Sequence, residues 1–517
     1  MHKRSTKVGL TTLAAALIVA LTPAVPGEKA FAEEELQAQA ELQALAPAGA
    51  QVIDIFKRTV NDYGIELVDW QGYLANPYVK LKVKPPADAS FPVTVTLKAQ
   101  GTSRLMMDLP STLSANGASK TLTFNSALEE KNFLLAIHPD RIGGNGEIEK
   151  YTLSMAVTGR DGSTTNQTIP IRVLDQDDNA EPSIPIDFDY RFDTIKPYFN
   201  DAATRKATEL AIKDWFYFFD LKPFDTVPTG AEANHLPGDD WQNTIQVSNN
   251  KAYNGMWVFL RGLNGPYSTG YPAANGKYHT RNGVTVPGNL NRSYGLILDF
   301  YDDAVPFTSV NDEEWYQSDL SKVTDVYGLM MHEFGHAVVF SDTFPGVRAL
   351  KESGGNDPVI LAYQNRPALL DNSYHLSGAL AEVDRLSGQN GGWNHLFPTR
   401  RWMNTKLSLL VAEKAGWPLR KNLTPFLAPE IVTKELPAPV QGQAYSVKLE
   451  AKGGVPFYDW TVTQGELPAG FKLDRFTGTI SGTAASGTGN KTYTFTVQLR
   501  DYDELGKPVT RSYSLKL

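Results

Sequence analysis

Only 8 histidines occur in 517 residues, and two of them stand four apart in His332-Glu333-Phe334-Gly335-His336. Residues four apart on a helix lie one turn above each other, so both imidazoles would project from one side. Two such rings can share one metal ion, and nitrogen donors suit zinc in a tetrahedral site. Glu333 follows the first histidine and could reach a water on the metal. It would take that water's proton during attack on a carbonyl carbon. The expected chemistry is zinc-dependent hydrolysis of a peptide bond, with Glu333 as base. The bland alternative is two surface histidines beside a solvated carboxylate. The scarcity of histidine and the apolar residues around the motif argue against it.

A helix must carry the motif. Val323, Val326, Tyr327, Met330, Phe334, Ala337 and Val338 recur at spacings of three and four, the period of one helix face. Upstream, Ile186, Phe188, Tyr190 and Phe192 alternate like one face of a strand. Asp201 is a plausible N-cap for a helix over 202–219, with Trp215, Phe216, Phe218 and Phe219 packing it against a sheet. Strands are expected over 255–260 and 294–301, separated by a loop rich in Gly, Asn, Pro and Tyr. This order fits an α/β catalytic domain over residues 184–428.

A catalytic zinc usually takes a third protein ligand as well as water. Asp342, His375 and His395 are the candidates downstream. Asp342 is near, but Val339 supplies no turn, so the helix is expected to continue past it. His375 and His395 lie beyond a long loop over 346–372, which gives either one reach. His375 is favoured, because Asp371 and Ser373 could support its turn or orient the ring through its second nitrogen.

The flanks read differently. Lys3, Arg4 and Lys7 precede an apolar run over 8–21, and Ala30-Phe31-Ala32 has the small-x-small form of a cleavage site. Residues 1–32 therefore read as an export signal, which implies a secreted protein. Residues 33–50, rich in Ala, Gln and Glu, read as a linker or a short marginal helix. Residues 51–180 show alternating runs such as Val93-Thr94-Val95-Thr96-Leu97, bounded by turn residues, as in a β-sandwich. Within them, Trp70 and Tyr73 read as core in preference to a binding feature. Residues 175–179 read as a polar linker. Residues 430–517 read as a second sandwich with Trp460 in its core.

The fold class expected is multidomain, an α/β (α+β) catalytic domain flanked by two all-β sandwiches. The net charge of −8, with no basic stripe, disfavours nucleic acid as a partner. The absence of cysteine excludes disulfides and zinc–thiolate sites. After the signal, no stretch is long and apolar enough to span a membrane.

The segment from His332-Glu333-Phe334-Gly335-His336 through Ala337-Val338-Val339-Phe340-Ser341 resembles the active helix of metzincin-clan zinc metallopeptidases. It is closest to the leishmanolysin-like branch, where the third ligand is a distant histidine. Many clan members have Gly three residues after the second histidine and a ligand three further on; here those positions are Val339 and Asp342. Asp371-Asn372-Ser373-Tyr374-His375 resembles a ligand-bearing Asp-x-Ser-His segment, with Tyr374 inserted. His395 stands eight residues before Met403, a spacing similar to ligand and Met-turn in leishmanolysin, so Met403 is the Met-turn candidate, with Leu396-Phe397-Pro398 as the other. The run Thr405 to Gly416-Trp417 resembles the clan's last helix. The stretch from Gly453-Gly454 to Gly482-Thr483 resembles immunoglobulin-like modules of bacterial surface and secreted proteins. Together these resemblances imply a secreted zinc endopeptidase with His332, His336 and His375 on Zn2+, acting on a protein or peptide substrate. The modules imply adhesion or spacing at a cell surface or matrix. The competing reading is a non-catalytic surface or matrix binding protein with a degenerate metallopeptidase domain.

Overall fold

Alternation builds the first layer pair. In the computed structural model, β4 (Val93–Gln100) buries Val93, Val95, Leu97 and Ala99 while the residues between them face outward, the period-2 pattern of a half-buried strand. The structure describes residues 49–517 except 71, 74–77, 103, 108–118, 138–143, 145, 178–180, 232, 238–243, 263–268, 273–279, 282–283, 286–292, 299–304, 308–322, 378–402, 424–426, 486, 488 and 504. The signal and nearly all of the linker expected at the N-terminus lie outside the described residues, as do His395 and Leu396-Phe397-Pro398.

One sheet of the first sandwich holds β1 (Gln51–Ile53), β3 (Tyr78–Lys84), β7 (Lys131–Ile137) and β5 (Leu105–Met107), in that order. The other runs β2 (Ile65–Asp69), β9 (Thr164–Asp175), β8 (Ile148–Thr158), β4 and β6 (Ser119–Phe124). All pairings are antiparallel except β2 with β9. Val52, Leu81, Leu97, Phe133, Leu153 and Ile171 meet between the sheets in one core.

The expected polar linker at 175–179 proves otherwise in its first half. Asp175 ends β9 and is buried, as are Asp177 and Asp69. The buried guanidinium of Arg104 pairs with Asp69 and with Glu149. Charges this deep need such partners, because desolvation is otherwise unrecovered.

The middle segment is built around a four-stranded sheet in the order β10 (Ile186–Asp189), β13 (Met256–Gly262), β17 (Ser293–Leu298) and β14 (Thr269–Pro272). The first three are parallel and β14 is an antiparallel edge. Shorter antiparallel pairs are β11 (Ala233–Pro237) with β12 (Thr244–Ser248), and β15 (Thr280–Arg281) with β16 (Val284–Thr285). A parallel pair, β18 (Val305–Phe307) with β19 (Val323–Asp325), leads into the motif helix. Helix α1 (Ala202–Tyr217) links β10 towards β13, and its N-cap Asp201 accepts from Thr204 N at 2.7 Å. It stops two residues short of the expected end, because Phe218 and Phe219 turn into the core instead. Among the described residues, four more helices follow: α2 (Val326–Val338), α3 (Pro345–Glu352), α4 (Pro358–Gln364) and α5 (Lys406–Ala415). The region 346–372, expected as a long loop, thus holds most of α3 and all of α4. Each has proline in its first turn, and Asp357 caps α4 by accepting from Val359 N and Ile360 N, signals that favour a helix start.

The first sandwich feeds directly into this core. Trp70 and Tyr73 are buried among the middle segment's residues, with Tyr73 5.5 Å from Phe218. Between them Gly72 has φ +62, and a Cβ there would meet Asp214 of α1 at 2.8 Å. Only glycine combines that backbone with that approach.

The last segment has sheets β21 (Ala444–Lys448)–β25 (Thr479–Thr483)–β24 (Phe471–Leu473) and β23 (Asp459–Gly465)–β26 (Thr492–Arg500)–β27 (Val509–Lys516), with β20 (Glu430–Ile431) paired to β22 (Ala451–Lys452). Trp460, Ile480, Phe495, Val497 and Leu499 form its core. Its loops enter the other two segments. Val455 and Tyr502 belong to the core of the first sandwich. Arg58 donates to the carbonyls of Tyr458 and Arg475, and Tyr63 stacks on Phe476 at 3.9 Å. Lys406, the first residue of α5, pairs with Asp503 at 2.7 Å.

At this junction Asp501 is 6% exposed and accepts from Val455 N at 2.9 Å, with Asp503 and Lys406 as its charged neighbours. Burial pushes its carboxyl up to about 6, with the Asp503 charge adding to the rise and Lys406 opposing it. The folded state therefore holds this proton more tightly than the unfolded chain. That contribution to stability is complete below the ordinary carboxylate value and is lost as pH rises through about 6. Asp501→Asn keeps an acceptor for Val455 N without the charge. We expect it to be more stable than the parent at pH 8 by roughly 3 kcal/mol, with most of the difference gone near pH 4. Urea unfolding across that range measures it, and a difference that does not change with pH rules the assignment out.

Candidate metal centre

Helix α2 starts where Asp325 accepts from Gly328 N at 3.1 Å. Val326, Met330, Phe334, Ala337 and Val338 on its apolar side are all buried. Two tryptophans hold its backbone. Trp215 Nε1 of α1 donates to Met331 O at 2.8 Å, and Trp417 Nε1 donates to Val338 O at 2.6 Å. Trp417 follows Gly416, whose φ of +105 closes α5, and stacks on Phe219 at 4.9 Å. The motif is thus gripped by carbonyls on either side of its histidines. Tyr327 OH adds a bond to Asp214 Oδ2 at 2.5 Å. Edge strand β14 lies beside α2.

The helix ends at Val338, and Val339 at φ −137 is its C-cap. The expectation that it would continue past Val339 is corrected here. Phe340 is 1% exposed and packs edge-on to Trp215. Burial of that ring and the bond from Trp417 to the carbonyl of Val338 accompany the helix end, and β-branched Val339 is itself a poor helix former. No glycine is needed for this turn.

Three imidazoles meet here. The ring of His332 lies 4.8 Å from that of His336 and 5.1 Å from that of His375, and His336 and His375 are 4.9 Å apart. One nitrogen of each falls within 4.8 Å of the others, and all three rings are half-buried. His336 and His375 oppose their Nε2 atoms at 3.2 Å. The Nδ1 of His336 is 3.0 Å from Phe340 O, and the Nδ1 of His375 is 3.0 Å from Asp371 Oδ2. Each Nδ1 thus faces an oxygen acceptor, which favours the tautomer with its proton on Nδ1. Both Nε2 atoms are then lone pairs aimed at one point. Burial holds His336 below the usual histidine value, with the neighbouring His375 adding to the effect while the Phe340 carbonyl opposes it.

The other named residues are placed as follows. Glu333 is 8% exposed on α2. Asp342 is exposed beyond the helix end, in reach of Ser341 Oγ at 3.4 Å, and is outside the histidine group. Met403 is buried in the same core as α2. The next residue, Asn404, donates its N–H to Gly72 O at 3.1 Å. Thr405 caps α5 in a reciprocal pair with Ser408. Among the described residues, the three histidines are the single group of three or more potential metal ligands.

Sequence reasoning passed over Trp215 and Trp417 as grips on the motif helix. Trp215 was legible as a core residue and Trp417 only as the end of a helix, and the carbonyls they would meet were not legible.

A family model described as "Putative Ig domain" matches residues 428–516, and that segment is immunoglobulin-like. No curated protein sequence matches the chain. Among solved structures, similarity is found to AggA, the major subunit of aggregative adherence fimbriae type I from Escherichia coli. The two share 11% identity over 25% of this chain and 94% of that one, with a TM-score of 0.18. The periplasmic chaperone SfaE is 7% identical over 49% of this chain and 100% of that one, with a TM-score of 0.17. BcpA, the major pilin subunit of Bacillus cereus, is 14% identical over 48% and 69%, with a TM-score of 0.18. Likeness at these scores supports neither a fold nor a function for this chain.

Proposed function

We propose that the chain is an exported zinc endopeptidase, as its resemblance to the metzincin clan implies, with His332, His336 and His375 as the zinc ligands and Glu333 as the base. The observation that carries this reading is the pair of facing Nε2 atoms at 3.2 Å. Two uncharged imidazoles would not hold their lone pairs so close without a proton or cation between them. Tetrahedral zinc with nitrogen ligands at about 2.0–2.1 Å sets neighbouring donors about 3.3 Å apart, so the spacing of His336 and His375 fits the ion, and the three nitrogens together lie within 4.8 Å of one another. Bound there, zinc would supply Lewis-acid polarisation and make water a nucleophile near neutral pH.

The remaining work falls to the chain. The two tryptophan bonds to Met331 O and Val338 O fix the height and rotation of α2, and with them the two helix-borne rings. Phe340 O and Asp371 hold the Nδ1 protons of His336 and His375. Glu333 accepts a proton from water and returns it to the departing amine. The apolar surroundings of α2 lower the local dielectric, which strengthens each of these interactions.

A second reading rests on the immunoglobulin-like match at 428–516. It makes the chain a surface or matrix binding protein in which the histidine centre is catalytically degenerate. Metal content and turnover separate the two. We expect one zinc per full chain after dialysis against zinc, and its loss in His332→Ala, His336→Ala and His375→Ala. Atomic emission on the purified proteins measures this. A parent chain that stays metal-free ends the zinc reading, and a zinc-loaded chain that cleaves nothing in a peptide library favours the binding protein.

A further inference from the structure

We propose that Asp371 is the positioning residue for His375, with one carboxylate oxygen building the turn that carries the ring and the other fixing which ring nitrogen is free. This rests on the zinc reading of the three histidines. Asp371 Oδ1 accepts from Ser373 N at 2.8 Å and from His375 N at 2.9 Å. Asp371 N donates to His375 O at 3.0 Å, and Tyr374 N donates to Asp371 O at 3.1 Å. Tyr374 closes the turn at φ +66, a conformation that non-glycine residues adopt only when the surroundings impose it. The same carboxylate turns Oδ2 to His375 Nδ1 at 3.0 Å. Five consecutive residues therefore present the third imidazole, clamped at its backbone and at its ring. The bridge between Leu370 and Leu376 closes the loop on both sides.

The division of labour between the two oxygens makes the proposal sharp. A carboxylate is acceptor-only on both oxygens, so it satisfies the turn and also accepts Nδ1–H. That leaves the Nε2 lone pair of His375 towards His336. Asparagine supports the same kind of turn through its single carbonyl oxygen. In Asp371→Asn that oxygen is claimed by the N–H groups of Ser373 and His375, and the amide NH2 is left facing Nδ1. The ring then presents Nδ1 as acceptor and carries its proton on Nε2, where the metal must bind. The turn itself selects the wrong tautomer.

The test uses the full chain. Zinc affinity is measured by competition with a chromophoric chelator, and the His375 tautomer by nitrogen-15 NMR of the metal-free protein. We expect the parent to hold the proton on Nδ1. In Asp371→Asn it should move to Nε2, and zinc affinity should fall about tenfold to a hundredfold, the usual effect of losing a carboxylate behind a metal-bound histidine. Ser373→Ala, which leaves its backbone N–H in place, should match the parent in both readouts. An unchanged tautomer together with unchanged zinc affinity in Asp371→Asn overturns the proposal. If the parent binds no zinc, the metal reading fails. The tautomer comparison then still decides whether Asp371 sets the ring.

Discussion

On the proposed zinc-peptidase reading, Glu333→Gln should lower peptide hydrolysis by about a hundredfold or more, the scale of general base catalysis, while zinc content should stay at the parent level. The substitution is nearly isosteric and removes only the ability to take a proton. The helix is capped by Asp325 and held through Met331 O and Val338 O, none of which involves the Glu333 side chain. Glu333 is also buried enough, at 8% exposure, for its charge to act in a medium of reduced polarity. The measurement is kcat/KM on a peptide the parent cleaves, with zinc content assayed on the same samples. Equal turnover by the two proteins removes Glu333 from the role of base.

Arg58→Met should cost about 3–5 kcal/mol of stability, the usual loss when one partner of a buried ion pair is removed. Arg58 and Asp54 have side-chain exposures of 3% and 1%, and Nε meets Oδ2 at 2.7 Å. The guanidinium also donates to Tyr458 O at 3.0 Å and Arg475 O at 3.3 Å, and lies 4.1 Å over the ring of Phe476. Methionine keeps much of the packing of the stem. It leaves Asp54 with its Oδ1 still bonded to the N–H groups of Phe56 and Arg58 and its Oδ2 stripped of the guanidinium. Arg475 cannot take over, because it is engaged with Asp459 and Phe56 O. Urea denaturation of the full chain gives the cost. A loss below about 1 kcal/mol would mean that water or a rearranged side chain replaces Arg58, which the burial of this site argues against.

What could be read from residue order alone was whatever depends on near neighbours. The alternation of Val93, Val95 and Leu97 describes β4, and Asp201 marks the start of α1. The position of Asp371 four residues before His375 suggested a local support, and the two do bond. Val339 misled, because its lack of a glycine's turn was weighed without the buried ring of Phe340 behind it. The helices α3 and α4 were passed over although Pro345, Asp357 and Pro358 announce their starts. Partners remote in sequence were illegible in principle. Arg58 and Tyr458 are 400 residues apart, and Trp215 and Met331 are 116 apart. No periodicity in either segment encodes the other.

The seating of the last module changes what it can contribute. A module on a flexible tether raises the local concentration of whatever it holds by an amount that linker length sets. Here Val455 and Tyr502 sit in a neighbouring core, and Lys406 ties the module to the first turn of α5. The hydroxyl-lined outer face, where Thr494 meets Ser514 and Thr496 meets Ser512, is thereby fixed in direction as well as distance from the three histidines. A molecule held on that face gains nothing from linker slack.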